Sequence, residues 1–94
     1  MISKKTIKIN DDTIIIFTFY KIVINIDIYI NTTVHNILRS HSEFQETMNE
    51  LQNDYAINSH QIELIQKWYE KNYKKVYPIT NYITKYGRKI IQTN

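Results

Sequence analysis

The chain has no cysteine, and only one glycine and one proline among its 94 residues. Without cysteine there can be no disulfide, thiolate metal site or thiol nucleophile, which fits a reducing, intracellular compartment. Average usage would bring about six or seven glycines and four or five prolines. A single glycine excludes a glycine-rich phosphate-cradling loop, and it leaves the turns to Asn, Asp, Ser and Thr. No serine sits in a nucleophile-elbow context either.

Uninterrupted apolar runs are also lacking. The longest candidate, residues 13–30, is broken by Lys21, Asn25 and Asp27, and a charge near a bilayer centre costs about 2.5–3.5 kcal/mol. Two strands are expected there, with a membrane segment as the competing reading. Lys4, Lys5 and Lys8 look like the start of a leader, but no small-residue cleavage site follows the apolar run.

Of what is present, 43% of residues are hydrophobic and 22% charged, the ordinary globular range, and the length suits one small domain over 1–94. The net charge of +3 is unevenly spread. Residues 1–58 carry five basic and seven acidic side chains, whereas 59–94 carry seven basic against Glu63 and Glu70. The positive field therefore belongs to the C-terminal third, where a polyanion can be met.

Periodicity predicts an α+β fold: a β-rich part over 1–31 and a helical, basic part over 42–94. Ile7 and Ile9 alternate with Lys8, and Asn10-Asp11-Asp12 is turn chemistry. Apolar residues then fall on odd positions (Ile15, Phe17, Phe19) and afterwards on even ones (Ile22 to Ile30). A change of phase demands a bulge or an irregular turn near Tyr20-Lys21. A three-stranded antiparallel β-meander (about 4–10, 13–19, 22–30) is expected, ended by Thr32-Thr33, with Val34, Ile37 and Leu38 in a short helical turn.

Two or three helices should cover this sheet. Ser42 with Gln45 reads as a capping box for a helix over 42–55, whose stripe is Phe44, Met48, Leu51 and Tyr55. Asn58 or Ser59 opens a helix to residue 77, with Ile62, Ile65, Tyr69 and Val76 buried and Leu64 and Trp68 widening the stripe. Glu63–Lys67 and Glu70–Lys74 have the favourable i, i+4 order. Pro78 ends that helix, and a short one near 80–86 stops at Gly87. The tail after Gly87 reads as a short strand or a frayed end.

His35, His41 and His60 have no partners at metal-ligand spacing and read as surface residues. The composition thus points away from an enzyme, a metal, a cofactor or a small-molecule substrate. The more informative pattern is the interleaving of Lys67, Lys71, Lys74, Lys75 and Lys85 with five tyrosines between Tyr69 and Tyr86. Charges that neutralise phosphate lie beside phenol rings that can stack on bases. A solvated lysine-rich helix gives the same pattern with no ligand.

The segment INSHQIELIQKWYEKNYKKVYPIT resembles the opening of a homeodomain of the extended-loop class, which includes fungal mating-type proteins. Ser59 matches the helix start, Ile65 the leucine-type position, Trp68-Tyr69 the Trp-Phe pair and Tyr77-Pro78 the loop. The resemblance implies a DNA partner rather than RNA, a nuclear setting in place of the cytoplasm, and a phosphate contact by Tyr77. The family's Trp-Phe-x-Asn-x-Arg signature is absent, so base reading by a third helix is not implied.

The expected function is a small regulatory nucleic-acid-binding protein, contacting phosphates through Lys67, Lys71, Lys74, Lys75, Tyr77, Lys85, Arg88 and Lys89. The alternative is a protein-interaction module, such as a small viral or phage factor that binds a host protein through a sheet edge or helix face. Homodimerisation through a β-edge or a helix face is the other expected contact.

Overall fold

The computed structural model describes residues 1–77. The short helix expected near 80–86, the tail, and Lys85, Arg88 and Lys89 lie outside the described residues. Four strands, β1 (Ser3–Asn10), β2 (Thr13–Phe19), β3 (Val23–Ile30) and β4 (Thr33–Ser40), precede α1 (Phe44–Asp54) and α2 (Ser59–Val76). The strands form one antiparallel sheet in the order β1-β2-β3-β4. The α+β class holds, with four strands where three were expected.

The segment that differs is 33–40. Val34, Ile37 and Leu38 fit helical spacing, yet they belong to β4, which pairs with β3 from Thr33↔Ile30 to Ser40↔Val23. Two local causes favour the strand. Asn31 turns the chain at φ 54°, in the left-handed region that Asn tolerates, and Thr33 Oγ1 donates to the Ile30 carbonyl at 2.7 Å. The global cause is that β3 would otherwise leave a row of backbone donors and acceptors unpaired.

The phase change between β2 and β3 is a turn at Tyr20–Ile22, closed by the Tyr20 N–H donating to the Val23 carbonyl at 2.9 Å. Ile22, 74% exposed, sits in that turn and not in a strand. The first hairpin uses the expected Asn and Asp chemistry: Asp12 N–H donates to Asn10 Oδ1 at 2.8 Å, with a register shift between Lys8 and Asn10.

Alternation then decides which face is buried. Ile7, Ile15, Phe17, Phe19, Ile24, Ile26 and Ile28 share one face, and all are buried. Against them lie Phe44, Met48 and Leu51 of α1, Ile57 of the connection, and Ile65 and Tyr69 of α2, with Ile62, Trp68 and Val76 partly buried. Leu64 is 37% exposed, so it does not widen the buried stripe. Among the described residues no helix lies on the other face, where Ile14, Tyr29, Val34 and Leu38 are exposed.

Side-chain bonds close the start of α2 and of the 3-10 turn before α1, while α1 itself has no side-chain cap. At α2 the cap is Asn58, one of the two expected candidates, and it forms a box with Gln61: Gln61 N–H donates to Asn58 Oδ1 at 2.8 Å and Asn58 N–H to Gln61 Oε1 at 3.1 Å. The first helix begins at Phe44 and not at Ser42, because β4 runs to Ser40 and passes into a single 3-10 turn, His41–Glu43. There Ser40 N–H donates to Glu43 Oε1 at 3.2 Å.

Side chains also set the direction of α2. Gln61 Nε2 donates to the Lys8 carbonyl at 3.1 Å and Trp68 Nε1 to Ser3 Oγ at 2.9 Å. The helix therefore runs antiparallel to β1, and its last turns reach the end of the sheet that holds the Tyr20–Ile22 turn. Removing a fully buried side chain should be far costlier than trimming the open face. Ile26→Ala is expected to lose about 2–5 kcal/mol and Val34→Ala about 0.5 kcal/mol or less, as measured by urea denaturation.

Candidate functional site

With 3.6 residues per turn, Lys67, Lys71, Lys74 and Lys75 fall within an arc of about 100° on α2. That arc lies opposite Ile65, Tyr69 and Asn72, which are buried. All four lysines are exposed. Lys74 and Lys75 occupy the last turn, where cations suit the negative end of the helix dipole. Lys67 meets Glu63 at 3.9 Å. Glu70 and Lys74, expected to form the second such pair, do not come within ion-pairing distance; the other ion pairs among the described residues are Lys8–Asp11 and Arg39–Glu50.

Among the described residues the tyrosines do not join the lysines on this surface: Tyr69 faces the core, and Tyr73 and Tyr77 pack in a row beside it. Tyr69 is only 8% exposed, and its ring stacks on Phe44 at 3.6 Å and 3°. Tyr73 packs on Tyr77 at 4.7 Å between ring centres. Tyr77 leaves helical geometry at φ −121° and ψ 85°, as a residue before proline does, and its hydroxyl donates to the Lys21 carbonyl at 2.6 Å. A phosphate contact by Tyr77 must compete with that bond. The same bond draws Lys21 to the lysine-bearing end of α2, a basic residue no sequence pattern linked to the helix.

His41 is the residue that sequence reasoning placed wrongly. His35 and His60 are exposed, but His41 is partly buried and stacks on Phe19 at 4.4 Å and 28°. Its Nε2 lies 2.8 Å from the Tyr20 carbonyl oxygen, which can only accept, so Nε2 carries the proton. In the neutral ring Nδ1 is then an acceptor, and the Tyr69 hydroxyl, 2.8 Å away, donates to it. One imidazole thus ties the β2–β3 turn to the middle of α2. No motif in the chain marks this role, because its two hydrogen-bond partners lie 21 and 28 residues away.

Beside this cluster, a cavity of about 350 Å³ opens between the start of α1 and the last turns of α2. Phe44, Tyr69 and Tyr73 form its apolar lining, and His41, Ser42, Gln45, Glu70 and Lys74 bring polar groups to it. No three His, Asp or Glu side chains converge as a metal site among the described residues. None of the described helices is long and apolar enough to cross a membrane. Neither a family model, nor a curated protein, nor a solved structure matches the chain.

Burial raises the Tyr69 phenol well above its ordinary pKa, and ionisation of Tyr73 and Tyr77 beside it adds to the shift. The folded state thus favours the protonated phenol. Its contribution to stability is complete below the unfolded value of about 10 and is lost as pH rises past it, where only the unfolded chain releases the proton. Tyr69→Phe should cost about 1 kcal/mol at neutral pH through the lost bond to His41. It should also flatten the fall of stability above pH ~10, read from urea midpoints across an alkaline series.

Proposed function

We propose that this is a small, non-enzymatic nucleic-acid-binding protein of regulatory type that holds phosphates on the solvent face of α2. The observation that carries the reading is the lysine arc: Lys67, Lys71, Lys74 and Lys75 share one exposed face while the apolar side of the same helix is committed to the core. Among the described residues Lys67 alone of the four pairs with a carboxylate, so the other three ammonium groups are offered to solvent on that face. Lys21 adds to that end, and Lys85, Arg88 and Lys89 add to the basic total of the C-terminal third. The resemblance of residues 57–80 to a homeodomain's first helix and loop supports DNA as the polymer.

Phosphate binding by such a surface works through counterion release and is steeply salt-dependent. Four contacts to a single strand give a slope of log K against log salt of about −3. The double change Lys74→Glu with Lys75→Glu should lower affinity at least about tenfold and make that slope shallower by about 1 to 2, as fluorescence anisotropy at several salt concentrations will register. Absence of binding at low salt, or a variant that binds like the parent, would remove the reading.

A second reading, a protein-interaction module whose partner is another copy of the chain, is favoured by the sheet face that no described helix covers. Val34 and Leu38, each 56% exposed, lie on β4, the edge strand. A two-fold axis through Asn36 would set Val34 of one copy against Leu38 of the other and extend the sheet to eight strands. Sedimentation should then show a dimer that Leu38→Lys converts to monomer; a parent chain that sediments as a monomer at high concentration rules this pairing out.

A further inference from the structure

The cavity beside Tyr73 has features that phosphate binding alone does not use. Its floor is the stacked Phe44–Tyr69 pair and its wall is Tyr73, which is 40% exposed. Glu70 and Gln45 bring an acceptor and a mixed donor and acceptor to the rim. Glu70 and Lys74 stand four residues apart in the order that normally pairs, yet they do not meet, and each lines the opening separately. The arrangement suits a flat ring with a hydrogen-bonding edge, attached to an anion. An acyl chain would leave Glu70 without a partner, and a phosphorylated side chain would leave the aromatic wall unused.

Lys74 belongs both to this rim and to the lysine arc. A phosphate seated on the arc at Lys74 therefore puts its own base at the mouth of the cavity. Inside a duplex that base is stacked on both faces and paired along its edge, so it cannot enter. We infer that the cavity seats one unstacked base of a single-stranded nucleic acid, with Tyr73 as the stacking surface and Glu70 and Gln45 facing the base edge. This rests on the phosphate-binding reading of α2 and narrows it from nucleic acid in general to single strands.

The test compares three labelled probes at low salt by fluorescence anisotropy, using the full chain: a short single strand, the same strand with every base replaced by an abasic site, and the corresponding duplex. The normal single strand should bind about tenfold more tightly than the abasic one, from the worth of base stacking on an aromatic side chain. Tyr73→Leu should erase that difference and leave abasic binding unchanged. Should Tyr73→Leu fail to fold, the comparison of normal and abasic strands on the parent protein still decides. Equal affinity for the normal and abasic strands, with steep salt dependence retained, would overturn the base pocket while leaving the lysine reading standing. Failure of all three probes to bind would overturn both.

Discussion

The packing of Trp68 and Tyr69 over Phe17 and Phe19 fixes how α2 lies on the sheet, and the rest of the molecule's surface follows from it. The rings meet at centre distances of 5.3 to 6.3 Å in tilted and edge-on arrangements, the geometries that aromatic quadrupoles favour. Once that side of the helix is committed, its remaining positions have one direction left. The lysines point to solvent by consequence of the core, with no separate device to aim them. The same contact brings Tyr73 and Lys74 alongside the start of α1 and so opens the cavity.

Polar groups at that end are used sparingly and in sequence. The Tyr69 hydroxyl is satisfied in its buried position by His41, through Nδ1 at 2.8 Å and the backbone carbonyl at 3.4 Å, and the imidazole is oriented by the Tyr20 carbonyl. A buried hydroxyl without such a partner would cost about 1–3 kcal/mol. On the opposite face of the sheet a comparable network joins Asn36 Nδ2 to Asn25 Oδ1 at 2.7 Å and to Asp27 Oδ1 at 2.8 Å. That network spans β3 and β4 and breaks up an otherwise apolar surface, which leaves the open face amphipathic.

Local signals in the chain were legible where they act over one turn or one strand. The alternation of Ile15, Phe17 and Phe19, the reversal of phase at Tyr20-Lys21, and the Asn58 cap all took the form their residues dictate, whereas the Ser42–Gln45 box did not form. Misplaced features were those decided at a distance. Val34, Ile37 and Leu38 have helical spacing, and the strand is selected by the turn at Asn31 together with the otherwise unpaired edge of β3. The role of His41 depends on Tyr20 and Tyr69, which no spacing rule connects to it. The lysine arc itself is visible as a pattern, but the sequence does not show that Tyr69 belongs to the core and Tyr73 to the cavity wall.

Two surfaces therefore compete for a functional role, the basic face of α2 with its adjoining cavity and the uncovered face of the sheet. They lie on opposite sides of the fold, which makes them separable in one experiment. An amide nitrogen–proton NMR spectrum, titrated with a short single strand at low salt, reports every backbone position at once. The account predicts shifts concentrated at residues 41–45 and 67–75, with the open-face strands β3 and β4 unmoved. A spectrum that does not change, or one that changes only over 22–38, would contradict it.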